Sequence, residues 1–142
     1  MLADQLKITQ ADAFVLYLKA HFYHWNIEGP NFPQYHDFLQ NLYQDVFASV
    51  DTIAELIRTL DVYAPGTLSR FQTLTTLEES DVIPDAMTMI KNIVEQNTLM
   101  LETLKKAYSM AEEEKQIGIA NFLQDRIQAH EKHGWMLRSI TK

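Results

Sequence analysis

Asp51 and Glu55 stand one helical turn apart, so on a helix both carboxylates project from one face and can share a hard cation. A solvated helix surface carries the same pair, so the spacing alone does not decide. The pair, however, ends a stripe of His36, Gln40, Tyr43 and Phe47, whose aromatic members call for protein against them. Two carboxylates held together there repel unless a cation lies between them. The remaining ligand types are His24 and His36, either side of a Gly29-Pro30-Asn31 turn that brings two helix ends close. Imidazoles so placed suit iron or zinc, and they equally suit hydrogen bonds to helix-end carbonyls. With no cysteine in the chain, thiolate sites, iron–sulfur clusters, Cys nucleophiles and disulfides are removed together, which leaves His and carboxylate as the strong ligands.

The elements that must position these residues read as helices. Thr9 followed by Asp12 resembles a capping box, and Gln10 to Ile27 holds no Gly or Pro, so the first helix is expected there. Its apolar residues Phe14, Val15, Leu16, Leu18, Phe22 and Trp25 lie on nearly all sides, which implies several packing neighbours and a core place for Trp25. A second helix runs from about Phe32 to Leu60 behind Asn31, with Leu39, Leu42, Val46, Val50, Ile53, Ile57 and Leu60 as its core stripe. The His36 to Glu55 stripe lies roughly 110° away around the same helix. Tyr63 to Glu79 reads as a long crossover holding one or two helical turns. Pro84 is expected to open a third long helix, and a fourth starts near Gly118 with Ile119, Leu123, Ile127, His130 and Leu137 inward. The fold class is all-α: one domain over residues 1–142, a four-helix bundle with a short extra helix in its crossover.

Geometry separates the ligands. His36 and Asp51 are fifteen residues apart, about 22 Å along one helix, so one straight helix cannot bring both to one metal. Two copies of the second helix, antiparallel about a two-fold near Tyr43 and Gln44, set His36 of one chain beside Asp51 of the other. No Glu-x-x-His occurs, which disfavours a di-iron site inside one bundle. His130 and His133 lack helical zinc-protease spacing, and His130 shares an apolar stripe, so both read as structural. The Glu112-Glu113-Glu114 run reads as a solvated helix end.

The chain of 142 residues suffices for one core, and its formal charge of −7 opposes phosphate backbones. No stretch resembles an export signal or a membrane span, which points to a cytoplasmic protein.

At His24-Trp25-Asn26-Ile27-Glu28-Gly29-Pro30-Asn31-Phe32, with His36 and Asp51-x-x-x-Glu55, the sequence resembles the Dps family of mini-ferritins. Ala120-Asn121-Phe122-Leu123, His130-Glu131-Lys132 and Trp135-Met136-Leu137-Arg138 extend the likeness to the last helix. The resemblance implies a ferritin-like bundle assembled as a hollow dodecamer that oxidises Fe(II), preferably with hydrogen peroxide rather than oxygen, and stores ferric mineral. It also implies a ferroxidase site across a two-fold, with His24 and His36 from one chain and Asp51 and Glu55 from its mate. Trp25 would stand beside it as a radical sink. Gln40 replaces the family's usual Asp, which weakens the second iron position and leaves a non-catalytic cage as the rival reading. The Asp-x-Gly-Thr run near the family's ion entrance is missing around Gln116 to Ile119, leaving Asp125 or Glu112 to serve entry. Met1 to Lys7 holds a single Lys, so DNA binding by a basic tail does not carry over.

Overall fold

The computed structural model describes all 142 residues as five helices: α1 (Leu2–Asn26), α2 (Phe32–Thr59), α3 (Leu68–Leu74), α4 (Ala86–Glu113) and α5 (Ile117–Ile140). No strand is present. α1 packs on α2 and on α4, α4 on α5, and α2 closes the fourth side against α5, while α3 lies on α1. Leu39, Leu42, Val46, Ile53 and Ile57 of α2 are buried as their spacing requires, and Val50 and Leu60 are half-buried at the edge of that stripe. Gly29, at φ +123°, makes the turn between α1 and α2, in a region that side chains rarely enter.

Two helix starts differ from expectation. α1 begins at Leu2, not Gln10, because Leu2 and Leu6 are fully buried and extend the core by two turns. Thr9 is no cap: its hydroxyl donates to the Gln5 carbonyl inside the helix at 2.8 Å. Asp12 is no cap either, and its role is larger. Its fully buried carboxylate accepts from the Thr75 hydroxyl (2.6 Å), the Thr76 N–H and hydroxyl (both 2.7 Å) and the Thr103 hydroxyl (2.7 Å). One side chain of α1 thereby fastens both the crossover and α4. The second difference is small: α4 starts behind Asp85, whose carboxylate accepts from Thr88 N–H at 2.8 Å, with Pro84 just outside.

The crossover runs alongside α1, in the same direction. Gln10 donates to the Pro65 carbonyl, Asp12 holds Thr75 and Thr76, and Lys19 donates to the Glu78 carbonyl. This return leaves α4 parallel to α2 and antiparallel to α1, so Leu2 N–H reaches Glu114 and Asn92 reaches the Tyr23 hydroxyl. The apolar residues around α1 are therefore largely covered within one chain, by α2, α4 and the crossover. Trp25 is the exception, 60% exposed at the end of the helix and not in the core.

Candidate metal centre

His24 closes α1 and His36 lies in the second turn of α2, and the intervening turn stacks their rings with centroids 3.7 Å apart at 16°. The Nδ1 of each faces the backbone carbonyl of the other at 2.8 Å. A carbonyl only accepts, so each Nδ1 carries a proton, and the tautomer that these bonds select has its lone pair on Nε2. The hydrogen bonds to helix-end carbonyls are therefore present, and they leave Nε2 of each ring without a protein partner. The carbonyl bond fixes the tautomer and the ring plane, which is how an imidazole is prepared to ligate a metal through its other nitrogen. His24 is buried and His36 half-buried, with Phe32 stacked on the outer face of His36 at 4.9 Å.

The carboxylates stand apart from this pair. Asp51 and Glu55 are exposed on α2, as is Phe47 (52%), while His36, Gln40 and Tyr43 of the same stripe are half-buried. Helix α2 is unbroken from Phe32 to Thr59, so the separation of about 22 Å between His36 and Asp51 holds in the folded chain. Within one chain no three His, Asp or Glu side chains converge on a point. Thus each chain presents a prepared imidazole pair at one end of α2 and a carboxylate pair towards the other, with an exposed aromatic ring between.

An aromatic cluster surrounds the imidazole pair; Tyr43 and Phe47 join it from the second stripe of α2 and Trp25 from the end of α1, while Tyr17 and His21 carry no sequence signal of their own beyond their spacing on α1. His21 lies one turn before His24, its ring stacked 3.9 Å from Tyr43 at 12° and 3.9 Å from Trp25 at 33°. Tyr43 meets His24 edge-on at 5.2 Å. The Tyr17 hydroxyl lies 3.0 Å from His21 Nδ1, and its ring contacts Phe47 (4.6 Å) and Tyr43 (6.0 Å). Burial, and secondarily His24, lower the pKa of His21 from the ordinary imidazole value, so its ring is neutral near pH 7. The i, i+3 and i, i+4 spacings of Tyr17, His21, His24 and Trp25 were the signal that could have revealed this cluster.

His130 and His133 are structural, as expected from the sequence. Arg126 forms a two-pronged ion pair with Asp45 (3.0 and 2.9 Å) and also donates to His130 Nε2 at 3.0 Å. Arg is only a donor, so His130 is protonated on Nδ1 alone and donates to Asn97 Oδ1 at 2.8 Å. Burial, with Arg126 and His133 adding repulsion, holds its pKa well below the usual imidazole value. His133 Nε2 meets Asp45 at 2.6 Å. Burial alone would raise the Asp45 carboxyl, but the hydrogen bonds from His133 and Arg126 outweigh it and hold the group well below the usual range.

Residues 3–142 match the ferritin-like domain family. The chain is 34% identical over 132 residues to an uncharacterized low temperature-induced protein from Nostoc sp., covering 92% of this chain and 74% of that one. It is 32% identical over 131 residues to a DNA protection during starvation protein from Brevibacillus brevis, covering 92% and 87%. Among solved structures it is similar to a Dps protein from Vibrio cholerae O1, a member of a broad superfamily of ferritin-like diiron-carboxylate proteins. That match has a TM-score of 0.95, with 27% identity and coverage of 99% and 89%.

Proposed function

The chain belongs to the Dps group of the ferritin-like family, and from that premise we propose that it binds Fe(II), oxidises it with peroxide and stores the ferric product. The observation that carries this reading is the reciprocal bonding of His24 and His36. It leaves two stacked rings with both Nε2 lone pairs open, an arrangement that packing alone does not require. Iron is the substrate here. His24 and His36 of one chain would hold it from one side, and Asp51 and Glu55 of a second chain from the other.

The second chain is demanded by distance, and α2 supplies a self-complementary surface for it. An antiparallel mate about a two-fold near Tyr43 and Gln44 places Phe47 against the aromatic cluster and each carboxylate pair beside an imidazole pair. A closed dodecamer, the assembly that the family resemblance implies, contains such two-folds. Its mass would be about 198 kDa, twelve chains of 16.5 kDa. Gln40 offers an uncharged amide, so four strong ligands serve one iron well and a second iron poorly. No helix is long and apolar enough to cross a membrane, and we place the protein in the cytoplasm.

Anaerobic Fe(II) soaking of crystals, with anomalous scattering measured at the iron edge, tests the site. A peak within ligand distance of His24 and His36 of one chain and Asp51 and Glu55 of another is expected. Iron bound elsewhere with these four residues vacant would refute the assignment. Peroxide consumption coupled to Fe(II) oxidation in solution tests the activity, and an assembled cage that leaves Fe(II) unoxidised would be the non-catalytic alternative.

A further inference from the structure

Val15, Leu18, Phe22 and Trp25 follow one another along α1 at spacings of three, four and three, an apolar stripe on one face of the helix. The stripe is the floor of a cavity of about 260 Å³ whose other wall is not a helix but the crossover, at Glu78 to Asp81, with Lys19 between the two. Val15 is buried beneath the floor, Leu18 and Phe22 are half-buried, and Trp25 is 60% exposed, its indole backed by the His21 ring at 3.9 Å.

The crossover wall is held in place. The Glu78 N–H donates to Oε1 of the buried Gln96 at 3.0 Å, and the Glu78 carbonyl accepts from Lys19 Nζ at 3.0 Å, so this one residue is tied to α4 through one backbone group and to α1 through the other. The carboxylates of Glu78, Glu79 and Asp81 therefore stand at a fixed place over the apolar floor. None of them makes an ion pair, since the acidic partners of the chain's ion pairs are Asp4 and Asp45. Three carboxylates against the single ammonium of Lys19 leave the cavity two negative charges in excess.

We propose that this cavity binds a linear aliphatic diamine, a dication whose methylenes lie on the α1 stripe and whose ammonium groups meet the crossover carboxylates and the open edge of Trp25. The inference goes beyond iron chemistry and does not depend on it. Each part of the cavity matches one part of such a ligand: the excess charge matches the two ammonium groups, the floor matches the chain between them, and an exposed indole attracts an organic cation. A bare metal ion would leave the apolar floor unused, and an anion would meet both the carboxylates and a chain of charge −7. A folded partner needs about 800 Å² on each side, far more than this cavity offers. Each bound dication would bring a chain from −7 to −5 and so relieve the self-repulsion of an assembly of such chains.

The test is isothermal titration calorimetry of the iron-free protein in its native assembly at low salt, with 1,4-diaminobutane, n-butylamine and magnesium chloride as probes. The diamine is expected to saturate at one per chain with a Kd of about 1 mM. Butylamine, which keeps the chain and loses one charge, should bind about five-fold more weakly, and magnesium, which keeps the charge and loses the chain, should not displace the diamine at equal concentration. Glu79→Gln combined with Asp81→Asn, both on the exposed crossover, should weaken the diamine about ten-fold, and Phe22→Ser should weaken it several-fold. Glu112→Gln combined with Glu113→Gln removes the same two charges at the far end of α4 and should leave the affinity unchanged within about two-fold. If Phe22→Ser assembles poorly, the two pairs of exposed acidic substitutions still decide. Diamine heats that do not saturate, butylamine or magnesium binding as tightly as the diamine, or the Glu112 and Glu113 variant weakening it as much as the Glu79 and Asp81 variant would each overturn the proposal. The ferroxidase reading stands in all of these cases, because iron enters none of the titrations.

Discussion

Mixing two broken variants measures where the site lies. One variant carries His24→Ala and His36→Ala, the other Asp51→Ala and Glu55→Ala, and each is expected to be nearly inactive in Fe(II) oxidation. The magnitude follows from the unbroken α2 helix, which keeps His36 and Asp51 about 22 Å apart and, under the proposed assignment, puts the two pairs of ligands in different sites of a two-fold dimer. In a mixed dimer, one site lacks all four ligands and the other holds all four, because its histidines come from the carboxylate-deficient chain and its carboxylates from the histidine-deficient chain. Random co-assembly makes half the dimers mixed, so about a quarter of all sites should be intact. The variants are denatured together, refolded, and checked by light scattering for the same assembled mass as the wild type. Initial rates of Fe(II) oxidation by peroxide are then read against each parent refolded alone. Recovery of about a quarter of wild-type activity is expected. Mixtures that form whole assemblies and stay as inactive as either parent would refute a shared site, whatever each chain does alone.

Asp12→Ala strands a buried N–H and three hydroxyls and should cost about 3 to 5 kcal/mol in urea unfolding at fixed protein concentration, whereas Asp12→Asn, which keeps acceptor Oδ1, should cost roughly half that. Equal losses would show that the charge and not the bonds holds the crossover. For His130 the folded-state pKa is lowered from 6.5, so below about that pH the unfolded chain takes a proton that the buried ring refuses. Stability should then fall with falling pH at about 1.4 kcal/mol per unit, and His130→Gln should flatten that slope in pH-resolved melts even if it is less stable at neutral pH. Asp45 acts in a lower window: its carboxyl is held below 3.8, so its contribution is full above that value and is lost as the pH falls further. With −7 per chain, DNA should not be retarded in gels at about 150 mM salt containing EDTA, where charges are screened beyond about 8 Å, and a strong shift there would contradict the charge argument.

What the sequence disclosed follows the range of the forces involved. The stripe from Leu39 to Ile57 and the short helix in the crossover depend on periodicity and turn residues, which are local, and the structure contains both. Thr9 and Asp12 have the local pattern of a cap, but Asp12 is claimed by Thr75, Thr76 and Thr103, at separations of 63 to 91 residues, and no local rule could signal that. Arg126 is similar: a charged residue in helix α5 reads as surface until Asp45 of α2 is known to face it. Trp25 failed as a core residue because the helix ends one residue later, where no neighbouring helix reaches its ring. The imidazole pair was legible because the turn that joins its helices is only a few residues long.

The buried polar network also bears on why metal chemistry would sit at a surface of this bundle. Bundle proteins of this architecture can build a metal site from side chains on facing helices in the core. Here Arg126 is 9% exposed, paired with Asp45 between α2 and α5. Its guanidinium occupies the carboxylate that a cation would need, and His130 has both ring nitrogens engaged, by Arg126 and Asn97. Bringing Fe(II) into that interior would mean displacing a fixed positive charge or setting another beside it, and both are costly at low dielectric. The imidazoles with a free Nε2 and a shared orientation are His24 and His36, at the rim, while the paired carboxylates without a protein cation are Asp51 and Glu55, on the open face of α2. The core is thus closed to cations, and the proposed site lies outside it, where a second copy of α2 would complete it.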